Sequence, residues 1–208
     1  MLSWIDRFSS QLHPGTYYRV TDKLHSAYEP LIDRYYGVET TRAVHRYAPT
    51  PWLAMRKLLS HIPIETSDVF LDVGSGKGRA LLIASRFPFR KLIGVEISRH
   101  LAEVSKKNIR SFQGGVERFR IVRKNASEYE IPDEVTHLFM NDPFSEEVFE
   151  KVLRSTKRSL KRRPRTLYFI YVIPKQVDIF AKHFLFEEIA LSHMHRSFYR
   201  AFKVDFIR

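Results

Sequence analysis

The chain has 208 residues, of which 44% are hydrophobic and 13% aromatic, which suits one folded domain with a sizeable core and excludes a disordered polymer. It contains no cysteine, which excludes disulfide bonds, thiolate metal sites and cysteine nucleophiles. The net charge of +12 favours acidic partners such as nucleic acid, acidic protein or anionic lipid, but 23 acidic residues are interspersed with the basic ones.

No apolar run approaches the roughly 20 residues of a membrane-spanning helix, and the longest, from Leu167 to Ile173, has the length of a strand. The N-terminus lacks a signal sequence, so we expect a cytoplasmic protein. Apolar residues at helical spacing, interrupted by prolines, predict a helical N-terminal extension over residues 1–46. Residues 47–208 are expected to form an α/β domain.

The start of that domain reads Y-A-P-T-P-W and leads into a predicted helix from Leu53 to His61. Thr50 suits the N-cap of this helix, and Pro51 suits its first position, where a missing N–H costs least. Read locally, the segment is simply the start of a helix.

A buried strand is predicted over residues 69–73, where four of five side chains are large and apolar. Gly74, Gly76 and Gly78 follow at alternate positions, and helical character resumes over residues 79–85. Glycines allow positive φ angles, and without Cβ atoms they let a ligand lie against the backbone. This pattern predicts a cofactor site between the strand and the helix.

The next apolar strand, Lys91 to Ile97, carries Glu96 near its end. An acidic residue about 20 positions after the first glycine commonly binds ribose hydroxyls in nucleotide-binding βαβ units. The dinucleotide fingerprint G-x-G-x-x-G would need a third glycine where Arg79 stands. The glycine spacing therefore disfavours a nicotinamide dinucleotide.

Asp72, Gly74, Gly76 and Gly78 resemble the first motif, D-x-G-x-G-x-G, of the class I S-adenosylmethionine-dependent methyltransferases. The resemblance implies a Rossmann-like, mostly parallel seven-stranded sheet with helices on both faces and a C-terminal antiparallel hairpin. It also implies S-adenosylmethionine as the cofactor, bound by this loop and by Glu96. A βαβ turn without a ligand and an NAD site are the alternatives.

The Y-x-P-T-P segment resembles small lysine methyltransferases and, more distantly, the non-SET histone-lysine enzymes. In those proteins this loop closes over the methionine end of the cofactor, which implies that role for Tyr47 and Thr50. The Y-G-V-E-T-T segment before it is similar to uncharacterised bacterial class I methyltransferases, and with them the resemblance spans residues 30–175.

A helix from Arg99 to Phe112, capped by Ser98, and a third strand from Arg118 to Arg123 are predicted next. The strand leads to Asn125, at a place where class I methyltransferases usually carry an aspartate that contacts the adenine amino group. The amide oxygen of Asn125 can accept the same hydrogen bond. A plain loop asparagine is the alternative.

The fourth predicted strand, Val135 to Met140, leads into the tetrapeptide N-D-P-F. It resembles, without fully matching, the fourth methyltransferase motif, commonly D/N-P-P-Y/F in amino-methylating enzymes. The resemblance implies catalytic roles for Asn141, Asp142 and Phe144, with either polar residue accepting a hydrogen bond from an attacking amine. A strand-to-helix turn with Ser145 as the N-cap is the alternative.

The run Lys161 to Arg165 carries four cations without aromatic residues, which favours a solvated turn over a nucleic-acid site. The last two strands are predicted to pair as an antiparallel hairpin, as in the methyltransferase sheet. The remaining elements are predicted over residues 146–160 (helix), 166–173 (strand), 175–183 (helix), 184–191 (strand) and 198–207 (strand).

The motifs together imply a methyltransferase whose acceptor is an amine nitrogen of a protein or small molecule. A nucleic-acid methyltransferase, suggested by the net charge, and a regulator that binds S-adenosylmethionine without catalysis are the alternatives. We expect no metal site, since His193 and His195 have no ligand partners at helpful spacing. The sequence leaves the oligomeric state open.

Overall fold

A computed structural model describes residues 50–111, 116–141, 144–172, 176–194 and 197–204. The predicted extension over residues 1–46, Tyr47 and Asp142 lie outside the described residues. The described helices and strands, in chain order, are α1 Trp52–Leu59, β1 Val69–Val73, α2 Arg79–Ala84, β2 Lys91–Glu96, α3 Arg99–Ser111, β3 Phe119–Arg123, β4 His137–Asn141, α4 Glu146–Arg162, β5 Leu167–Val172, α5 Val177–His183, β6 Phe186–Met194 and β7 Ser197–Val204.

One seven-stranded sheet organises these elements, in the order β3-β2-β1-β4-β5-β7-β6. Strands β1 to β5 are parallel, and β7 runs antiparallel between β5 and β6. The predicted sheet and its C-terminal hairpin are confirmed. Because β2 and β3 lie on one side of β1 while β4 lies on the other, the strand order reverses between β1 and β4.

Two apolar cores cover the two faces of the sheet, as the continuous apolar runs of its central strands predict. Phe70 and Phe139 point into the core under α1 and α2. Val69 and Leu71 point into the opposite core, under α4 and α5. Alternate residues of each strand therefore belong to different faces, which decides where the polar strand residues lie.

The start of α1 differs from the prediction. Pro51 occupies the N-cap position and Trp52 is the first helical residue, so the assignment of Thr50 as the N-cap is wrong. The Pro51 carbonyl accepts the first hydrogen bond, from the Met55 N–H at 3.2 Å, and no side chain caps the helix. The Thr50 hydroxyl is consequently available for a contact elsewhere.

Two other predicted caps have different outcomes. Ser98 caps α3, since its Oγ accepts a hydrogen bond from the Leu101 N–H at 3.3 Å. Ser145 stands at the N-cap position of α4 but makes no side-chain cap hydrogen bond. Glu146 and Glu147 in the first turn still favour that helix start electrostatically.

The basic run after α4 is only partly a solvated turn. Arg165 is half-buried, and its guanidinium donates to the Val135 carbonyl at 2.6 Å and to Ser159 Oγ at 2.9 Å. Arg162 pairs with Asp133 at 2.8 Å, and α4 extends to that residue. The expectation of a solvated turn is wrong for Arg165, because its five N–H donors can satisfy several buried acceptors at once.

Among the described helices, none combines the length and hydropathy that a bilayer crossing requires. The described residues also contain no cluster of three or more His, Asp or Glu side chains suited to hold a metal ion. The cytoplasmic location stays a prediction.

Candidate active site

The polar residues that the sequence singles out converge on the carboxyl edge of the sheet. Glu96 is the last residue of β2 and Asn141 the last of β4, and both strands flank β1. Val73, at the end of β1, pairs with Val95 on one side and with Met140 on the other. Glu96 and Asn141 therefore stand one residue beyond the end of β1, on either side of Gly74, where ligands bind in open α/β sheets.

Strand alternation also brings these side chains to one face. Asp72 follows Phe70 by two residues and Asn141 follows Phe139 by two, and both phenylalanines belong to the core under α1 and α2. Glu96 follows Leu92, another member of that core, by four residues. Asp72, Glu96 and Asn141 thus share the face that α1 and α2 cover.

The glycine loop between β1 and α2 has the backbone conformation that its sequence predicts. Gly74, Gly76 and Gly78 have φ angles of 83°, 53° and 83°, which residues other than glycine rarely adopt. The Val95 carbonyl accepts hydrogen bonds from the N–H groups of Gly74 and the following residue, at 2.9 and 3.0 Å. The Asn108 amide donates to the Lys77 carbonyl at 3.0 Å. The loop is therefore held in place by both β2 and α3.

Gly78 has a packing role that the sequence does not reveal. A Cβ atom at this position would lie 2.4 Å from the Oγ of Ser105, a fully buried residue of α3. Gly94 of β2 is similar, since a Cβ there would lie 2.7 Å from Leu81 Cδ1 and 2.8 Å from Ser75 Oγ. These glycines let the loop and α2 approach the sheet and α3 closely.

Glu96 is buried, and backbone N–H groups hold both of its carboxylate oxygens. Oε2 accepts from the Gly76 N–H at 2.8 Å, and Oε1 accepts from the Ser98 N–H at 2.8 Å. Each carboxylate oxygen can accept a second hydrogen bond. The side chain is therefore fixed in place and can still bind a hydroxyl pair.

Asp72 is a second buried carboxyl on the same face, with 3% of its surface exposed. Burial raises the pKa of Asp72 well above its usual value, and the nearby Glu96 carboxylate raises it further. Two adjacent buried carboxyls are costly in the folded chain when both are charged. The arrangement is suited to a ligand that carries positive charge.

Ile97 stands at the same edge of the sheet, and the motifs did not single it out. It follows Glu96 directly and leaves 62% of its surface exposed, although it is large and apolar. Glycine and polar residues would be expected where a strand ends, so an isoleucine here is a weak signal in the sequence. Its position at the carboxyl edge offers an apolar surface beside Glu96.

Asn125 lies at the next position along this edge, just beyond β3. Its Oδ1 accepts two hydrogen bonds from Ser127, from the N–H at 3.0 Å and from Oγ at 2.9 Å. This is the geometry of a residue that caps a short turn, which favours the alternative of a loop asparagine. Its amide N–H₂ group carries no such turn contact.

On the other side of β1, Asn141 joins two segments that the sequence separates by 91 positions. Its Nδ2 donates to the Oγ1 of Thr50 at 3.3 Å, which connects the end of β4 to the segment before α1. Phe144 is half-buried against the core under α4, and its carbonyl accepts a hydrogen bond from Gln176 Nε2 at 3.4 Å. The motifs did not single out Gln176. Its position shortly after the end of β5, at the carboxyl edge of the sheet, is the sequence feature that could have indicated it.

Comparisons with known proteins agree with this geometry. A family model described as "Histone methylation protein DOT1" matches residues 35–153, more than half of the chain. A protein-lysine N-methyltransferase of Saccharolobus islandicus is 32% identical over 88 residues, which cover 42% of this chain and 54% of that protein. A histone-lysine N-methyltransferase of Drosophila melanogaster, specific for lysine 79 of histone H3, is 33% identical over 76 residues, 36% of this chain and 4% of that protein.

The chain thus spans about half the length of the first of these relatives and a small part of the second. Solved methyltransferase structures share its fold. The precorrin-6y C5,15-methyltransferase of Geobacter metallireducens superposes with a TM-score of 0.61 at 16% identity, covering 80% of this chain and 92% of that one. A TehB-like S-adenosylmethionine-dependent methyltransferase of Corynebacterium glutamicum gives 0.56 at 14% identity, covering 86% and 98%.

At these low identities the two solved structures show similarity of fold alone. The family match, by contrast, covers the glycine loop, Glu96, Asn125 and Asn141. The chain belongs to the DOT1 family and has the fold of the class I S-adenosylmethionine-dependent methyltransferases.

Proposed function

We propose that the chain transfers a methyl group from S-adenosylmethionine to an amine nitrogen, most simply that of a lysine side chain in a protein. One observation carries the proposal. Asn141 lies on the same face and at the same edge of the sheet as Asp72 and Glu96, across the point where the strand order reverses. A cofactor bound by the two carboxyls would therefore reach the acceptor side of the site.

The residues present fit S-adenosylmethionine chemically. The cofactor carries a sulfonium and an ammonium group, and their positive charge suits the two buried carboxyls of Asp72 and Glu96. Its ribose offers two hydroxyls, which suit the oxygens of Glu96 that are already oriented by backbone N–H groups. Its adenine needs an apolar surface, which the exposed side chain of Ile97 supplies.

We assign the other cofactor contacts as follows. Gly74, Gly76 and Gly78 bring backbone close to the ligand, because no Cβ stands in the way. Asn125 lies at the adenine end, where its amide N–H₂ is the better placed group since Oδ1 is engaged by Ser127. Tyr47 and Thr50 belong to the segment that covers the methionine end, by resemblance to lysine methyltransferases.

The cofactor supplies an electrophilic methyl group, so the chain needs no nucleophile of its own. The amine must arrive neutral, and its lone pair forms the new N–C bond as the S–C bond breaks. Asn141 Oδ1 accepts an N–H of the amine and thereby directs the lone pair, and Asp142 is the second candidate for this role. Alignment of this kind can lower a barrier by roughly 7 to 11 kcal/mol at best.

The two sequence relatives support a lysine acceptor, since both are lysine N-methyltransferases. The wall of the acceptor site supports it too. Thr50 and Asn141 bring hydrogen-bonding groups together at the end of β4, which suits an amine. A role for Phe144 rests on the resemblance of the N-D-P-F motif alone. A nucleic-acid partner stays a prediction that rests on the net charge of +12.

A methyl-transfer assay tests the proposal. The protein is incubated with cell extract and tritiated S-adenosylmethionine, and fractions are treated with protease or nuclease. We expect protease-sensitive label, which is strongly reduced in Asn141→Ala. Nuclease-sensitive label would establish the rival nucleic-acid acceptor instead. Binding of S-adenosylhomocysteine without any transfer would favour a regulator that only binds the cofactor.

A further inference from the structure

The hydrogen bond between Asn141 and Thr50 suggests a role for Thr50 other than contact with the cofactor. Thr50 is 5% exposed, so its hydroxyl lies inside the protein and benefits from a defined partner. It does not cap α1, whose N-cap is Pro51. Its oxygen accepts the Asn141 Nδ2–H at 3.3 Å instead. The hydroxyl is therefore oriented by β4 and not by its own helix.

The position of Asn141 makes the orientation of its side chain depend on contacts beyond β4 itself. Its backbone is fixed by pairing with Val172 of β5, but β4 ends at this residue and its side chain is half-exposed. An asparagine amide at a strand end can rotate about two side-chain bonds. A partner on one side of the planar amide fixes that rotation, and with Nδ2 held by Thr50 the oxygen faces away from Thr50.

We infer that Thr50 is a positioning residue for methyl transfer, which holds the Asn141 amide so that its oxygen faces the acceptor amine. This inference rests on the proposed function, because it assigns Asn141 the contact with the amine. Thr50 acts through Asn141 and stands at the wall of the methionine end. Its loss should therefore slow turnover more than it weakens the binding of the cofactor.

The variants Thr50→Val and Thr50→Ser separate the hydroxyl from the shape of the side chain. Thr50→Val keeps the shape and removes the acceptor, so we expect kcat to fall roughly three- to tenfold, as for the loss of one hydrogen bond. Thr50→Ser keeps the hydroxyl and should restore most of kcat. Thr156→Val is the matched control, since Thr156 is a fully buried threonine of α4 whose hydroxyl bonds to the Val152 carbonyl, away from the site.

A double-mutant cycle distinguishes action through Asn141 from an independent effect. In the Asn141→Ala background, Thr50→Val should lower kcat no further. Additive losses would overturn the inference, because Thr50 would then act without Asn141. A rise in the Kd of S-adenosylhomocysteine in Thr50→Val, with kcat unchanged, would also overturn it and make Thr50 a direct ligand of the cofactor.

The side-chain amide resonances of Asn141 provide a readout that needs no acceptor. They are identified by their loss in Asn141→Ala, and we expect them to shift in Thr50→Val but not in Thr50→Ser or Thr156→Val. Unmoved resonances would show that the hydrogen bond does not form, and the inference would fail while the proposed function stood. If the resonances shift but the wild-type protein transfers no methyl group to any fraction, the proposed function fails and this role fails with it.

Discussion

Glu96 Oε2 accepts a hydrogen bond of 2.8 Å from the N–H of Gly76, the middle glycine of the loop between β1 and α2. The bond crosses from one strand end to the next, so the Glu96 carboxylate, which we propose binds the ribose, and the glycine loop are held as one unit. The other oxygen accepts from the Ser98 N–H, which ties the same side chain to the start of α3. Glu96 is thus expected to affect both the shape of the loop and the affinity for the ligand.

Replacement of Glu96 should weaken cofactor binding strongly. Glu96→Ala removes the proposed contacts to the ribose hydroxyls and releases Gly76, so we expect Kd for S-adenosylhomocysteine to rise roughly ten- to a hundredfold. Isothermal titration measures this. Glu103→Ala is the matched control, since Glu103 lies on α3 and pairs with Lys106 at the surface. A Glu96→Ala protein that binds as tightly as the control would remove Glu96 from the site.

The carboxyl of Asp72 should lower the free energy of unfolding at neutral pH and strengthen cofactor binding. Its folded-state pKa is raised, so between the unfolded value near 3.8 and the higher folded value the folded chain binds more protons than the unfolded chain. The free energy of unfolding then falls as pH rises through this window. Asp72→Asn removes the ionisable group, so we expect a higher Tm at neutral pH together with weaker cofactor binding. A lower Tm at neutral pH would contradict this account of Asp72.

Ile97 should contribute to binding without contributing to the fold. Because it is 62% exposed, Ile97→Ser should leave Tm within about 1 °C while raising Kd for the cofactor several-fold, through loss of apolar contact. Leu185→Ser is the matched control, since Leu185 is 70% exposed and lies between α5 and β6. Thermal melts and titrations on both variants check the prediction. Equal affinities of the two variants would mean that Ile97 does not cover the adenine.

Gly78 should be intolerant of any side chain. Gly78→Ala meets Ser105 Oγ at 2.4 Å and keeps a φ of 83°, so we expect a loss of about 1 to 3 kcal/mol in the free energy of unfolding. Ser105→Ala in the same chain should recover only part of it, since the Ser105 Cβ would still lie 3.3 Å away. Urea unfolding of the single and double variants measures both effects. Full tolerance of Gly78→Ala would refute the close approach of α3.

A buried histidine at the opposite edge of the sheet should make the fold sensitive to acid. Burial lowers the pKa of His137 from 6.5 to about 4, although Asp68 lies 4.0 Å away and the Pro63 carbonyl bonds its ring. The unfolded chain then binds more protons between these two values. Stability should fall as pH drops from 6.5 towards 4, by up to about 3 kcal/mol.

Unfolding curves across this range check the effect of His137. In His137→Phe the ring can still stack on Tyr168, whose ring centroid lies 4.8 Å away, while the titrating group is gone. The variant should lose the hydrogen bond to Pro63 but show a shallower decline of stability in acid. An equally steep decline would assign the acid sensitivity to other groups.

The fold could be predicted from the sequence because its signals are local and agree with one another. The apolar run at 69–73, the glycines after it and the capping serine at 98 each specify one element without reference to the rest of the chain. The ends of other elements depended on tertiary contacts. Residues 161 and 162 continue α4, and Arg162 pairs there with Asp133, a partner 29 positions earlier.

The site was only partly predictable for the same reason. Asp72, the glycines and Glu96 form a motif that is contiguous or regularly spaced, and the structure brings them together on one face. Thr50 fitted a local rule for helix caps, yet its hydroxyl bonds to Asn141, which no local pattern indicates. The roles of Gln176 and Gly94 depend on contacts between segments that are distant in the sequence, so the sequence alone does not reveal them.

We expect this site to methylate an amine of a protein side chain. The most direct test is amino-acid analysis of the protein fraction labelled by the wild-type chain and tritiated S-adenosylmethionine, with Asn141→Ala as the reference of strongly reduced activity. The label should elute as N-methyl-lysine and should be much weaker with the reference. Label in alkali-labile esters, in another amino acid or in nucleosides, or equal label from Asn141→Ala, would contradict it.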